Sequence, residues 1–327
     1  MTEIMPHRRS VLAGLAASLF APALGAQESY PTRPITLIVP FPPGGSTDAI
    51  ARVVAEAMRV SLKVPVIVEN RGGAGGTVGT SVVARANPDG TTIGMGTAST
   101  LAINPAAYKS LPYDVLNDLA PIGAIADVPN IMEINPALPV TDMASFVTYA
   151  KAGPGRITYG SSGLGSVSHL MGEQFKRATG TDLVHVPYRG VGPALGDAVS
   201  GQIMVIFDNL PTSLSLVKAG KLRALAVSSR ARLAALPDVP TFAELKLDDL
   251  SWTAFFGLVA PIRTPTPIIE TLNHALNDAL SDATVREKLA VQQATVTPGT
   301  PEAFGALMSR EGARMKRACE AARISIE

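Results

Sequence analysis

The feature that most constrains this chain is a junction that occurs twice: an apolar run, a glycine-bearing loop, then an amphipathic stretch. Ile35–Val39 is an unbroken aliphatic and β-branched run, the signature of a strand buried on both faces. Phe41-Pro42-Pro43-Gly44-Gly45-Ser46-Thr47 follows. Ile50, Val53, Val54, Ala57 and Met58 then recur at helical spacing, which predicts a helix over 49–58. The junction returns downstream. Ile157-Thr158-Tyr159 leads into Ser161-Ser162-Gly163-Leu164-Gly165-Ser166, and Val167, Leu170, Met171 and Phe175 share one helical face.

Strands alternating with helices predict an α/β fold with a mainly parallel sheet. Two junctions of one kind predict two α/β lobes, each presenting a helix N-terminus beyond its strand ends, where open sheets place ligands. The intervening elements agree. Val64–Val68, Thr92–Met95, Ile203–Phe207, Leu222–Val227 and Phe255–Val259 read as further strands. Ile122–Ile134 reads as one extended segment broken at Pro129. Gly72-Gly73-Ala74-Gly75-Gly76 reads as a surface turn, and the last third is helical, with Ile268, Ile269, Leu272, Leu276 and Leu280 in a stripe.

The glycine loops carry the chemistry. The first N–H groups of a helix lack partners within it, and the macrodipole adds partial positive charge there. Gly44 and Gly45 let an anion approach the backbone, and Ser46 or Thr47 either caps the helix or reaches the ligand. Gly163 and Gly165, with Ser161, Ser162 and Ser166, offer the same means. One helix terminus contributes only about 0.3–1 kcal/mol. Two loops closing on one ligand reach the micromolar range, about −8 kcal/mol. The alternative reading of either loop alone is an efficient turn with a capped helix.

Other chemistries lack their parts. There is no G-x-x-x-x-G-K-[ST], and Val78 and Ser99 stand where a third glycine would complete the two G-x-G stretches. Paired-cysteine or H-E-x-x-H metal spacing does not occur. No G-x-S-x-G elbow is present. His169 lies three residues after Ser166 and reads as a hydrogen-bonded histidine, with a base for Ser162 as the sharper alternative. His185 reads as a strand residue and His274 as a solvated helix face. Cys319, the single cysteine, sits among alanines as a packing residue. Asp208 directly follows a strand, so it either contacts ligand or caps a turn. Arg189 either clamps a carboxylate or pairs at the lobe surface.

The first 26 residues read as a secretory leader: His7-Arg8-Arg9, an apolar core over 11–24, and an A-x-A-like site ending at Ala26. Arg8-Arg9-Ser10-Val11-Leu12 matches a twin-arginine signal, which an ordinary Sec signal also tolerates. Without Arg8, Arg9 and Glu3 the 28 basic and 27 acidic residues balance. Nothing in that charge favours nucleic acid.

YPTRPITLIVPFPPGGSTDAIAR, VIVENRGGAGGTVGT, INPAAYKSLPYDVLNDLAPIG, YGSSGLGSVSHLMGEQF and HVPYRGVGPALGDAVSGQIMVIFD, with AGKLRALAVSSRARLAALPDVPTFAE and the closing TPEAF, occur in this order. Together they resemble the Bug family, the periplasmic solute-binding proteins of tripartite tricarboxylate transporters. The resemblance implies a two-lobed, Venus-flytrap, type II-like periplasmic-binding-protein fold with the ligand cleft between lobes. It implies that the ligand is a small carboxylate: a di- or tricarboxylate, an acidic amino acid or an aromatic acid. It further implies delivery to membrane permease subunits by a monomeric, non-enzymatic protein without cofactor or metal. A sensory role, presenting the same ligand to a membrane receptor, remains an alternative, as does a serine hydrolase using Ser162 and His169. By the resemblance, one lobe comprises 27–127 and 254–327 and the other 128–253, with crossovers near Asp127 and Trp252. Its ligand contacts map onto Phe41, Pro43, Gly44, Gly45, Ser46, Thr97, Ser161, Ser162, Gly163, Ser166 and Asp208. Asp48, His169, Tyr188 and Arg189 are further candidates. Gly72 stands where the family usually has proline, and SWTAFFGLVAP varies a W-x-G theme.

Overall fold

The computed structural model describes residues 30–327. Residues 1–26, read from sequence as a leader with a twin-arginine-like motif, lie outside the described residues.

Two sheets organise the chain. The first is laid down by β1 (Ile35–Val39), α1 (Ser46–Leu62), β2 (Val66–Asn70), α2 (Thr77–Ala84), β3 (Thr92–Thr97), α3 (Asn104–Ala107), α4 (Val115–Asp118) and β4 (Leu119–Val128). The chain then crosses at Pro129. The second sheet is built by β5 (Asn130–Ile134), α5 (Met143–Ala152), β6 (Ile157–Ser161), α6 (Val167–Thr179), β7 (Leu183–Pro187), α7 (Val191–Ser200), β8 (Val205–Asn209), α8 (Leu210–Lys218) and β9 (Arg223–Val227). The chain returns as β10 (Ala254–Pro261), α9 (Thr266–Ser281), α10 (Ala283–Val291), β11 (Thr295–Val296) and α11 (Pro301–Ala322).

The strand orders are β11-β4-β10-β3-β1-β2 and β7-β6-β8-β5-β9. In each, the strand arriving from the other lobe, β10 or β5, is inserted antiparallel between the third and fourth strands of that lobe. This is the type II arrangement. As expected, most strands of each sheet run one way, and the inserted crossover strands make the hydrogen-bonded pairing mixed. A strand that enters from a neighbouring lobe needs no βαβ crossover, so nothing forces it to run parallel.

Each lobe also repeats one β-α-β-α-β unit. The steps β1→β2 and β2→β3 move in opposite directions across the first sheet, as do β6→β7 and β7→β8 across the second. Right-handed crossovers therefore put α1 and α2, and likewise α6 and α7, on opposite faces. The loops after β1 and β3 flank one topological switch point, and those after β6 and β8 flank the other.

The core explains the local choices. Ile35, Leu37 and Val39 are wholly buried, as are Ile50, Val54 and Met58 on the α1 face that covers them. Phe146, Tyr159, Phe175 and Phe207 fill the second lobe. Pro129 breaks the extended run where the sequence places the break. The 72–76 loop differs from expectation. Gly75 and Gly76 are buried, because a Cβ on Gly75 would lie 2.1 Å from the Leu164 carbonyl oxygen of the opposite lobe.

Trp252 stands on the return crossing. Its indole N–H donates to Gln174 Oε1 at 3.1 Å and its carbonyl accepts from Asn130 Nδ2 at 2.8 Å. The Arg314 guanidinium of α11 lies 5.8 Å from its ring centre. α11 packs on both α3 and α6, so it touches both lobes beside the crossings.

Candidate functional site

A cavity of about 80 Å³ lies between the lobes, where the two switch points face each other. The loop after β1 brings Phe41, Pro43, Gly45, Ser46 and Thr47 to it, and the end of β3 brings Thr97 and Ser99. From the other lobe come Ser162 and Ser168 after β6, and Asp208 and Asn209 at the end of β8. At about 30 Å³ per water this volume holds about three water-sized groups, room for a small ligand group rather than a large one.

Two helix N-termini open onto the cavity without side-chain caps. Gly45 precedes α1 with extended backbone, and Gly190 precedes α7 at φ 126°. Neither glycine has a side chain to accept from the first-turn amides. Ser46 and Thr47 on one side, and Val191 and Gly192 on the other, line the cavity. Their amides and the two helix dipoles thus meet from opposite lobes. Among the lining residues the only ionisable side chain is Asp208. The cavity thus presents backbone amides and hydroxyls, and no lysine or arginine lines it.

Asp48 stands behind the first loop. Its carboxylate accepts from the Gly44 N–H at 3.1 Å and Asn70 Nδ2 at 2.9 Å, and pairs with Arg52 at 3.0 Å. Burial pushes its pKa up, but the bonds from Arg52, Asn70 and Gly44 outweigh that and hold it below the ordinary carboxylate value. The carboxylate fixes the loop, and the Gly44 amide is engaged there. Gly44 does not line the cavity.

The second loop is braced from behind. Ser166 caps α6, accepting from the His169 N–H at 3.3 Å and donating to the Gly163 carbonyl at 2.6 Å. Ser161 Oγ lies 2.6 Å from His185 Nε2. His169 accepts from the Gly165 N–H through Nδ1 at 3.3 Å and stacks on His185 with ring centres 4.3 Å apart. Ser161, Gly163, Ser166 and His169 therefore shape the loop without lining the cavity; of this group only Ser162 faces it. Ser162 bonds to Ser168, and no hydrogen bond joins Ser162 to His169 among the described residues. The Ser162–His169 contact is not made, and the serine–histidine contact that is present, Ser161 to His185, involves two residues that do not line the cavity.

Tyr188 and Arg189 line a neighbouring opening beside Gly75 and Tyr108. The Tyr188 hydroxyl donates to Asp197 at 2.7 Å, and Arg189 is exposed. Sequence reading passed over the α7 terminus, Gly190-Val191-Gly192-Pro193. Its signal was available: a glycine followed three residues later by a proline, which a first helical turn tolerates. Phe256 and Ala254 also line the cavity. They arrive on the inserted strand β10, which no local motif announces.

The lobes touch around the cavity. Ser46 Oγ bonds Asn209 Oδ1 at 3.1 Å, the Val167 N–H donates to Ser99 Oγ at 3.1 Å, and the Tyr108 hydroxyl donates to the Leu164 carbonyl at 3.2 Å.

Two α/β lobes, each with an antiparallel crossover strand and a cleft between their switch points, define the class of periplasmic binding proteins. Within that class the chain belongs to the tripartite tricarboxylate transporter family receptors, TctC, whose family model matches residues 50–323. It is 40% identical to protein BugT of Bordetella pertussis over 291 residues, 89% of this chain and 87% of that one. Two solved structures show the same fold. Rpa4515 of R. palustris, with adipate, aligns at TM-score 0.87 and 36% identity over 91% of this chain and 100% of its own. MatC of Rhodopseudomonas palustris, with bound malate, aligns at 0.85 and 32% over 88% and 99%. The Bug resemblance read from the motifs is met.

Proposed function

We propose that this solute-binding receptor captures a small carboxylate in the periplasm and presents it to the membrane subunits of a tripartite transporter. The carrying observation is the pair of uncapped helix N-termini, α1 and α7, facing one small cavity from opposite lobes with no cationic side chain between them. Such a cradle favours a negative group and draws the lobes together around it. The adipate and malate seen with two relatives support a carboxylate. Ser46, Thr97, Ser162 and Asp208 are the side chains we assign to the ligand, with Phe41, Pro43 and Gly45 as walls. In this reading the lobes comprise 27–127 with 254–327, and 128–253. The protein acts as an exported monomer, without a catalytic step.

The test is calorimetry and thermal shift against mono-, di- and tricarboxylates, amino acids and aromatic acids. Saturable binding of at least one acid, recovered chemically unchanged, is expected. Failure of every acid to bind or stabilise the protein overturns the proposal.

A further inference from the structure

Behind the cavity the second lobe buries a group of polar atoms that the carboxylate cradle does not use. Asp208 lines the cavity at the end of β8, and its Oδ2 is buried without a hydrogen-bond partner. Glu133 on β5 is 0% exposed, and neither of its carboxyl oxygens has a partner. Thr212 Oγ1 and Ser213 Oγ, in the first turn of α8, are likewise buried and unpartnered. α8 packs over β5, β8 and β9.

Register places the two acids together. Glu133 stands opposite Ile206, and Ile131 opposite Asp208. Residues two apart on a strand share a face, and directly paired residues point the same way, so Glu133 and Asp208 are diagonal neighbours on one face of the sheet. Among the described residues no cation meets them there. On β9, Ala224 pairs with Glu133, while Arg223 lies on the other face and donates to the Val140 carbonyl. On α7, Asp197 is engaged by the Tyr188 hydroxyl. The ionisable residue of α8, Lys218, ends the helix. After β9, Arg230 and Asp238 are exposed and Arg232 pairs with Glu244.

Two buried charges of like sign without a counter-ion are strongly disfavoured, and such groups neutralise instead. We infer that Asp208 and Glu133 stand as neutral carboxylic acids, so that Asp208 offers the ligand an O–H donor. The site then takes acids that bring a hydrogen-bond acceptor to that pole, such as a hydroxyl or second carboxyl, and discriminates against acids that bring an ammonium group. This inference rests on the carboxylate-binding reading and narrows it. Burial pushes Glu133 up to about 8. Burial, then the nearby Glu133, pushes Asp208 well above the ordinary aspartate value. The nearby Asn209 N–H and Thr212 hydroxyl favour the charged form of Asp208, and the Ser213 hydroxyl that of Glu133, but neither hydroxyl makes a formed hydrogen bond and burial prevails.

Two measurements test it. Infrared spectroscopy of the unliganded protein should show protonated-carboxyl C=O bands at neutral pH that fade as pH rises past about 8. Asp208→Asn and Glu133→Gln should each remove part of that signal. Absence of the bands in the wild-type protein at neutral pH overturns the inference whether or not either variant folds. Calorimetry then compares succinate, malate and aspartate, which differ only in the group on one carbon. Succinate or malate should bind at least about tenfold tighter than aspartate. Aspartate binding tightest, with proton release that scales with buffer ionisation enthalpy, also overturns it. If none of the three binds, the selectivity stated here fails, the carboxylate reading stands or falls with the wider panel, and the infrared bands still decide the protonation state.

Discussion

Ser46 and Asn209 meet across the cleft, the serine hydroxyl donating to the asparagine Oδ1 at 3.1 Å. The bond does not end there. Asn209 Nδ2 donates to Asn130 Oδ1 at 2.6 Å, and Asn130 Nδ2 to the Trp252 carbonyl at 2.8 Å. The Asn130 N–H donates to Ser228 Oγ at 2.8 Å. One chain of hydrogen bonds thus runs from the ligand loop of the first lobe to both crossings between the lobes.

Removing its middle should weaken ligand capture without unfolding the protein. Asn209→Ala leaves Ser46 and Asn130 without that partner, a loss of about 1–1.5 kcal/mol. Ligand affinity should fall roughly five- to tenfold by calorimetry, with an unchanged circular-dichroism spectrum. A change under about twofold would mean that the chain contributes nothing to closure.

The N-terminus of α1 can be tested one atom at a time. Ser46 is the first helical residue and follows an extended Gly45, a setting that accepts proline. Ser46→Ala deletes the hydroxyl, whereas Ser46→Pro deletes the hydroxyl and the amide donor together. Ser46→Pro should bind roughly tenfold more weakly than Ser46→Ala, by about 1.4 kcal/mol. Equal affinities would show that the Ser46 amide does not face the ligand.

Gly75 limits how closely the lobes approach. Gly75→Ala puts a methyl group 2.1 Å from the Leu164 carbonyl oxygen, at φ 60°. The backbone conformation alone costs about 1–2 kcal/mol, which appears as a lower Tm. The steric clash appears separately, as a larger radius of gyration by X-ray scattering at saturating ligand. A variant that contracts on ligand as fully as the wild type would refute the contact.

The buried histidine pair should make the fold sensitive to acid. Burial, with His169 and Lys176 nearby, depresses His185 to about 3, and burial also lowers His169. An unfolded histidine titrates near about 6.5. Between those values the unfolded chain binds a proton that the folded His185 refuses, so stability falls as pH drops through that window and is fully present above it. Glu133 and Asp208, protonated in the fold, act the opposite way over the same window, so the His185 contribution is read as a difference: the Tm of His185→Gln relative to wild type should rise as pH falls from about 6.5 to 5. A difference that stays constant from pH 7 to 5 would contradict the assignment.

Much of this architecture was legible in sequence because the signals are local. The run at Ile35–Val39, the stripe from Ile50 to Met58 and the break at Pro129 each follow from neighbouring residues. The two glycine loops also announce themselves, and Ser46 and Ser162 do face the cavity. What sequence did not yield depends on distant chain segments meeting. Phe256 reaches the cavity on a strand that arrives from the other lobe. Gly75 looks like a surface turn until Leu164 of that lobe is laid against it. Glu133 sits in an apolar run that reads as ordinary strand, and only the register with β8 sets it beside Asp208. The helix N-terminus at Gly190 was written in the sequence but masked by the more conspicuous Arg189 before it.

Trp252 is the chain's single tryptophan. Its indole bonds α6, its carbonyl bonds Asn130 at the first crossing, and Arg314 of α11 covers its ring. Nature has therefore placed one intrinsic fluorophore at the pivot, with no second indole to contribute background emission. Any rotation of one lobe against the other changes its quenching by the guanidinium and the polarity around its N–H. Opening and closing can be followed in unlabelled protein, in a stopped-flow cell, from the colour of its own light.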